Sequence, residues 1–295
     1  MKATRLHTAA IPESQLILNG DGSVYHLGIT GEHIADTVLV VGDPERVPNI
    51  TRRFDSVHYR RAGREFVVHT GRVGEREVTV LSTGIGVDNI DIVINELDAA
   101  VNIDPLTRTP KATLRQLDII RLGTCGALRE EISVGTVIAS AYAIGYDGVP
   151  WHYGAQPEAD EIAMSDAFVR HTSWPDILAK PYCAKASDDL LKRYAADFIK
   201  GITITANGFY GPQNRSLRLP LADDERMERI RSFDYPPYKA TNFEMECAGI
   251  YALAGMLNHR PLTACVVLAN RYREEFSDHP QKEVNALIDK VLSHL

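Results

Sequence analysis

Two arginines stand beside short apolar runs of the sequence, in positions where an oxyanion could bind. Arg46 follows the run from Thr37 to Val41 after a Gly-Asp-Pro turn. Arg121 interrupts a second run, Asp118 to Leu122. Glycine lets backbone amides approach an anion, and the planar guanidinium group pairs well with phosphate. Because a charge in a buried strand is costly unless it is paired, Arg121 is predicted either to bind an anion or to form a structural ion pair.

Two acids, Glu244 and Glu246, lie at the start of an apolar segment that is predicted to be a helix from Glu244 to Leu257. Carboxylates two residues apart cannot share one face of a helix, so the two acids are predicted to have different tasks. One carboxylate is well suited to bind the vicinal hydroxyls of a ribose. The alternative is that both acids only complement the dipole at the start of the helix.

Charge, cysteine content and motifs exclude several classes of protein. The 295 residues include 32 Lys and Arg against 39 Asp and Glu, a net charge of −7, whereas nucleic-acid binding needs clustered positive charge. Four cysteines without a CxxC pair argue against disulfides or structural zinc and fit a cytoplasmic protein. Gly84-Ile85-Gly86 lacks the third glycine of a dinucleotide site. No secretory signal or membrane span is evident, so no membrane partner is expected.

Strand and helix patterns alternate along the chain, which predicts an α/β fold with a largely parallel sheet. Predicted strands cover 37–41, 65–70, 77–83, 118–122, 135–144, 201–206 and 262–269, and predicted helices begin at 88 and cover 187–198, 244–257 and 284–295. The strands 65–70 and 77–83 are predicted to form a hairpin. Since ligands bind beyond the carboxyl ends of strands in such sheets, the glycine-bearing loops that follow three of these strands are the candidate site.

No linker, internal repeat or low-complexity tract interrupts the chain, so residues 1–295 are expected to form a single domain. Two irregular segments stand out, 104–113 and 148–180. Both are interpreted as surface insertions rather than domain boundaries.

Six short segments carry glycines, arginines and acids in a recognisable order. They are Gly42-Asp43-Pro44-Glu45-Arg46-Val47, Arg64-Glu65-Phe66, Ser82-Thr83-Gly84-Ile85-Gly86, Arg121-Leu122-Gly123-Thr124-Cys125-Gly126, Phe209-Tyr210-Gly211-Pro212-Gln213-Asn214-Arg215 and Phe243-Glu244-Met245-Glu246. Together they resemble the nucleoside phosphorylase/hydrolase family, and most closely its uridine-specific members. The resemblance implies a three-layer α/β fold with a central mixed sheet flanked by helices. It also implies a pentosyltransferase that cleaves a pyrimidine nucleoside with phosphate, turning uridine into uracil and ribose 1-phosphate.

The resemblance assigns phosphate and ribose contacts position by position. The phosphate positions are Gly42, Arg46, Arg121 and Thr124, with Gly126 in the same loop as the last two. Arg64 and His26 match residues that cross a dimer interface, to the phosphate and to the ribose 5′-hydroxyl of the neighbouring site. Met245 and Glu246 match the pair that contacts the ribose.

The resemblance also assigns the base contacts. Phe209 matches an aromatic residue near the nucleoside, Gln213 and Arg215 match the pair that reads uracil, and Arg271 matches an arginine that holds this pair. A glutamine offers both a donor and an acceptor to the imide edge of uracil. Purine phosphorylases and nucleosidases of the family place an aspartate where this chain has Asn270, which cannot act as a general acid. They remain the alternative within the family.

The same resemblance covers ligands and partners. No cofactor or metal is expected, and inorganic phosphate is a co-substrate. Glu65 matches a carboxylate that binds a monovalent cation in some relatives, but Asn89 replaces the serine that accompanies it, so potassium binding is left open. Cys125 stands where threonine or serine is common. The expected assembly is a homodimer with shared active sites, or a hexamer of three dimers. A nucleoside-binding regulatory module without turnover is the alternative outside enzymes, and the retention of Arg46, Arg64 and Arg121 argues against it.

Overall fold

A mixed β-sheet forms the framework of the protein, and the computed structural model describes the chain from Met1 to Leu295. The strands are β1 (Lys2–Ala3), β2 (Thr37–Val41), β3 (Ser56–Gly63), β4 (Phe66–Val73), β5 (Arg76–Ser82), β6 (Asp118–Ala127), β7 (Val137–Gly145), β8 (Ala155–Gln156), β9 (Tyr182–Lys185), β10 (Ile199–Thr205), β11 (Asp234–Tyr235), β12 (Tyr238–Glu244), β13 (Arg260–Asn270) and β14 (Glu275–Phe276). The α-helices are α1 (Arg46–Thr51), α2 (Val87–Asn102), α3 (Val149–His152), α4 (Ala159–Thr172), α5 (Asp188–Tyr194), α6 (Arg226–Arg231), α7 (Cys247–Met256) and α8 (Pro280–Leu292).

Twelve strands form one sheet in the order β11-β12-β10-β7-β13-β6-β2-β5-β4-β3, with β9 paired to β7 and β14 paired to β13. The sheet contains parallel pairs, such as β2 with β6 and β10 with β12, and antiparallel pairs, such as β7 with β13. Strand β12 also pairs with β6, so the strands β12, β10, β7, β13 and β6 close into a ring. The predicted fold class, a central mixed sheet flanked by helices, is confirmed.

The closing of the ring brings the C-terminal ends of three strands together. Phe243 of β12 lies opposite Gly126 of β6. Asn270, the last residue of β13, lies opposite Ala127 of the same strand β6. The polar residues that follow these strands therefore meet at one place.

The helices cover the sheet with the faces that the sequence periodicity predicts. Helix α2 buries Ile90, Val93, Leu97 and Val101, which recur at three- and four-residue spacing along one face. It packs against α7, which itself packs on β7 and β13. Helix α7 is buried on nearly all sides, which explains why it is apolar all round. None of the helices combines the length and the apolar character that crossing a membrane requires.

Three predicted helices have different bounds in the structure, and one of them is the helix predicted over 284–295, which covers Pro280–Leu292. The helix predicted from Glu244 begins at Cys247, because Glu244 ends β12 and lies opposite Thr205 of β10. The interpretation of both acids as first-turn residues of a helix is therefore wrong. The helix predicted over 187–198 ends at Tyr194. The sheet is also less parallel than predicted, because β3 with β4 and β7 with β13 are antiparallel pairs in addition to the predicted hairpin of β4 and β5.

The segment 148–180 packs into the protein, which corrects its interpretation as a surface insertion. Helix α4 lies within it and buries Met164 and Phe168 in an apolar cluster that also contains Trp174. The segment 104–113 differs, since its residues 105–107 are exposed and only an isolated bridge joins Ile103 to Pro110.

Candidate active site

Arg121 is buried at the centre of the candidate site, with 5% of its surface exposed. Its Nη1 lies 3.3 Å from Glu244 Oε2 and donates to Cys265 Sγ at 3.1 Å, while Nη2 pairs with Glu246 Oε2. Burial opposes the charge of Arg121, but Glu246 and Glu244 raise the pKa of Arg121 well above its usual value. The guanidinium group is therefore charged and fixed in direction.

Glu244 anchors this arrangement from the end of β12. Its Oε1 accepts a hydrogen bond from Thr205 Oγ1 at 2.6 Å, and its Oε2 accepts from the backbone N–H groups of Glu246 and Cys247, both at 2.9 Å. Burial raises the pKa of Glu244, and Arg121 counteracts this rise. Glu244 thus joins Arg121 to the first turn of α7 and has no free edge for a ligand.

Glu246 faces the loop that follows β5. Its Oε1 accepts the backbone N–H of Gly86 at 2.7 Å, while its other oxygen pairs with Arg121. A carboxylate held between an arginine and an amide beside the strand ends suits the predicted contact with ribose hydroxyls. Met245 lies half-buried in the bend between β12 and α7. The two acids therefore differ in their surroundings, as the prediction of different tasks requires.

Arg46 begins helix α1 near Arg121, and its Nη1 donates to the carbonyl of Leu122 at 3.2 Å. Burial and the charge of Arg121 lower the pKa of Arg46. Two cations in one poorly solvated region favour an anion between them. We call Arg46 and Arg121 the arginine pair.

Gly42 and Thr124 complete the predicted phosphate positions. Gly42 lies at the end of β2, where an added Cβ would stand 3.4 Å from the carbonyl oxygen of Gly84. Thr124 is half-buried on β6, three residues after Arg121. An odd spacing places side chains on opposite faces of a regular strand, so the part of Thr124 in phosphate binding stays a prediction.

The predicted base contacts lie on the loop after β10, residues 206–215, which we call the base loop. Gln213 is 3% exposed, and its Oε1 accepts from Arg215 Nη1 at 2.5 Å. Arg215 Nη1 also donates to the carbonyl of Phe209, and its guanidinium carbon lies 4.0 Å from the centre of the Phe209 ring. Burial lowers the pKa of Arg215. The loop thus presents an amide and a guanidinium group, which together offer several donors to carbonyl oxygens.

Arg271 braces the base loop from the end of β13. Its Nη1 donates to the carbonyl of Gln213 at 2.5 Å, and Nη2 lies 3.4 Å from the carbonyl of Asn214. The side chain passes over Gly126, where an added Cβ would lie 3.5 Å from Arg271 Cγ. Gly126 therefore lies under this arginine, and the predicted holding role of Arg271 has a direct structural basis.

His26 and Arg64 form a separate group. His26 Nδ1 lies 2.6 Å from Glu96 Oε1, and the same carboxylate accepts the backbone N–H groups of His26 and Leu27. Arg64 is exposed on the turn between β3 and β4, with its guanidinium carbon 5.9 Å from the centre of the Tyr25 ring. The structure thus brings Arg64 and the segment 25–26 together at the surface.

Glu65 and Asn89 approach each other beside Gly84. A Cβ on Gly84 would lie 3.0 Å from Glu65 Cγ and would overlap Asn89 Nδ2. No group of three or more His, Cys, Asp or Glu side chains that could hold a metal ion is present. One carboxylate and one amide per chain are the groups available to a monovalent cation here.

A cavity of about 730 Å³ adjoins the base loop. Among the residues that line it are Tyr146, Trp174, Tyr210, Arg215, Leu219 and Arg226. The arginine pair and Glu246 do not line it. The open space therefore lies beside the base end of the candidate site.

Sequence patterns missed two residues that support the site, Glu96 and Cys265, and the role of a third, Glu244. Glu244 was visible as one of two close acids, but its contact with Arg121 joins residues 123 positions apart. Glu96 lies within the amphipathic pattern of α2, and Cys265 lies within an apolar strand. An acid on a half-buried helix face is a weak signal, and a cysteine in an apolar run gives none.

A family model described as the Phosphorylase superfamily matches residues 36–293. The chain is 31% identical over 283 residues to a protein of Thermococcus kodakarensis named uridine phosphorylase, in an alignment that covers 93% of this chain and 87% of the relative. A protein of Treponema pallidum with the same name is 27% identical over 249 residues, covering 84% of this chain and 83% of the relative.

A solved structure supports the same grouping. A Trypanosoma brucei nucleoside phosphorylase, described as showing uridine phosphorylase activity, superimposes with a TM-score of 0.88 at 29% sequence identity. The superposition covers 95% of this chain and 99% of that structure.

Proposed function

Since the chain belongs to the phosphorylase superfamily, we propose that it catalyses the phosphorolysis of uridine to uracil and ribose 1-phosphate. The observation that carries the proposal is the arginine pair beside Glu246, with the base loop at the end of a neighbouring strand. The relatives named uridine phosphorylase support the same substrate. We infer that residues 1–295 act as one catalytic domain.

The reaction follows from the positions of these groups. A phosphate oxygen forms a bond to C1′ of the ribose while the bond from C1′ to N1 breaks, and the electron pair of that bond passes to uracil. The uracil anion then takes up at N1 the proton that the phosphate group gives up. Arg46 and Arg121 orient the phosphate and offset its charge. Glu246 holds the ribose hydroxyls, with Met245 beside it.

The base loop stabilises the departing uracil. The amide nitrogen of Gln213 and the guanidinium group of Arg215 donate to the carbonyl oxygens, where electron density builds as the bond breaks. The amide oxygen of Gln213 keeps a second lone pair for the N3–H group. No strong general acid is required, which agrees with an asparagine at position 270.

A substrate panel tests the proposed function. We expect uridine to be cleaved in phosphate buffer with formation of ribose 1-phosphate, and we expect no cleavage without phosphate. Inosine should react at least about 100-fold more slowly, because a site built on Gln213 and Arg215 leaves polar groups unpaired with a purine. Product analysis by chromatography checks both points. Faster cleavage of inosine would support the purine alternative, phosphate-independent cleavage a nucleosidase, and binding without turnover a regulatory module.

We propose that phosphate is a co-substrate, that no organic cofactor takes part and that the enzyme is cytoplasmic. We further propose a homodimer in which Arg64 and His26 enter the site of the neighbouring subunit, alone or within a hexamer. The exposure of Arg64 and its position beside Tyr25 support this arrangement. Glu65 and Asn89 are the groups that would bind potassium at the same interface.

Mixing two inactive variants tests whether the sites are shared. We expect Arg46→Ala and Arg64→Ala each to lose activity, and we expect co-expressed subunits to recover about a quarter of it. In a shared-site dimer half of the assemblies are mixed, and each of these contains one site with both arginines intact. Steady-state assays of the co-purified mixture measure the recovery. Two copies of the Arg46→Ala subunit with different tags serve as the control, and recovery no greater than theirs would contradict shared sites.

A further inference from the structure

We propose that Asn270 is a positioning residue for the recognition of uracil, because its amide fixes the turn from which Arg271 braces the base loop. This inference rests on the proposed function. It concerns a residue that lies outside the proposed site and acts through Arg271 on the base loop. Asn270 is fully buried at the end of β13. It has no direct part in the phosphate or ribose contacts described above.

All hydrogen-bonding groups of the Asn270 side chain are used within the chain. Its Nδ2 donates to the carbonyls of Arg129 and Ile132, at 2.9 and 2.8 Å. Its Oδ1 accepts the backbone N–H groups of Tyr272 and Arg273, both at 2.9 Å. The amide therefore ties the loop after β6 to the turn 271–273 and has no donor or acceptor left for a base.

The loop after β6, which accepts the hydrogen bonds of Asn270, is itself held in place by further contacts. Arg129 donates from Nε to the carbonyl of Ala240 and from Nη2 to the carbonyl of Phe233, both at 2.8 Å, and pairs with Asp234. The backbone N–H of Arg271 donates to the carbonyl of Ala127 at 3.0 Å. The turn 271–273 is thus fixed on both sides to the end of β6.

Arg271 needs such a support because no carboxylate holds it. Burial and the nearby Arg215 lower the pKa of Arg271 to about 10. Its polar contacts are the carbonyls of Gln213 and Asn214, and its guanidinium carbon lies 5.8 Å from the centre of the Phe243 ring. A cation held only by carbonyls next to a second cation will move away when its backbone is released, and Gln213 and Arg215 will lose their brace.

An aspartate cannot replace this amide. It would keep the acceptor for Tyr272 and Arg273 but would turn a carboxylate oxygen toward the carbonyls of Arg129 and Ile132, with both donated bonds lost. Position 270 therefore requires an amide, because its donors and its acceptor are both needed to hold the turn that supports the base loop. Introducing an acid here is expected to damage uridine recognition without creating a purine site.

A double-mutant cycle tests the proposal. We expect Asn270→Asp to raise KM for uridine at least about tenfold, with KM for phosphate changed less than about twofold and turnover of inosine no faster than that of wild type. We expect Arg271→Ala to raise KM for uridine by a similar factor. If Asn270 acts through Arg271, the double variant will resemble Arg271→Ala alone, because coupled residues are not additive. Asn270→Ser, which keeps an acceptor for the turn and loses the reach to both carbonyls, should lie between wild type and Asn270→Asp.

The outcomes separate this inference from the proposed function. A wild-type chain that does not cleave uridine would refute the function itself. Given an active wild type, a double variant whose KM rises by the product of the two single factors would overturn the positioning role. An equal rise in KM for phosphate, or turnover of inosine by Asn270→Asp that is faster than that of wild type, would also overturn it. Should Asn270→Asp fail to fold, the same comparison with Asn270→Ser decides the question.

Discussion

Replacement of Arg121 by alanine is expected to lower kcat about 100- to 1,000-fold, while the affinity for uracil changes less than about threefold. In the proposed reaction Arg121 stabilises phosphate in the transition state, and loss of one such preorganised group typically has an effect of this size. In the proposed site uracil binds to the base loop, which is held by other side chains than those that hold Arg121. Kinetics at varied phosphate and calorimetry with uracil measure the two effects.

The same substitution should lower the free energy of unfolding, because Glu244 and Glu246 stay buried without their partner. Removal of one member of a buried ion pair typically costs about 3–5 kcal/mol. Arg121→Lys is the matched control, since it keeps a charge near both acids but loses the planar fork. It should unfold at a higher temperature than Arg121→Ala and still turn over slowly. Equal losses of turnover and uracil affinity in Arg121→Ala would place this residue outside the phosphate site.

Replacement of Gly123 by alanine is expected to lower kcat about 100-fold without changing any charged group. A Cβ at this position would overlap Arg121 Nη1 and would lie 2.7 Å from both Arg121 Cζ and Cys265 Sγ. Since β6 is paired along its length with β13, the guanidinium group must shift rather than the strand. A displacement of about 1 Å in a positioning group is enough for a loss of this size.

Steady-state kinetics and a structure of Gly123→Ala check this expectation. Gly20→Ala is the matched control, because no atom lies within 4 Å of the added Cβ, and its kinetics should equal those of wild type. Wild-type kcat for Gly123→Ala would mean that the direction of the Arg121 side chain is unimportant.

The sequence was sufficient to predict the elements with strong periodicity. The strand 37–41 was predicted with its observed bounds, and the helix predicted to begin at 88 begins at Val87. The family, predicted from six segments, is confirmed over residues 36–293. These features depend on local pattern, and local pattern is what a single sequence contains.

Features that depend on pairing between distant strands could not be predicted. The closing of β12 on β6 joins residues more than 100 positions apart, and no local motif signals it. For the same reason the assignment of Glu244 to a helix is wrong, since its place in β12 comes from its pairing with β10. The segment 148–180 looked irregular because the apolar residues of α4 are few and pack on a distant part of the chain.

The candidate site was predicted by residue type more fully than by geometry. Arg121 was recognised as a charge that needs a partner, and the structure shows its ion pairs with Glu244 and Glu246. Anion binding by Arg121 stays a prediction, which the nearby Arg46 supports. The contact of Gln213 with Arg215 and the brace from Arg271 fit the predicted base contacts. The role of Thr124 and the entry of Arg64 and His26 into a neighbouring site stay predictions.

The arginine pair and the base loop are held in place by different side chains. Glu244, Glu246 and Cys265 hold the guanidinium group of Arg121, whereas Arg271 and Asn270 hold the base loop. Both sets include a residue of β13, since Cys265 and Asn270 lie on this strand, but no side chain belongs to both sets. Substitutions can therefore change the base loop and the cavity beside it while the arginine pair keeps its position. Such a protein can change its preference for a nucleobase through substitutions around the base loop. The proposed cleavage of the bond to C1′ is then kept at every step.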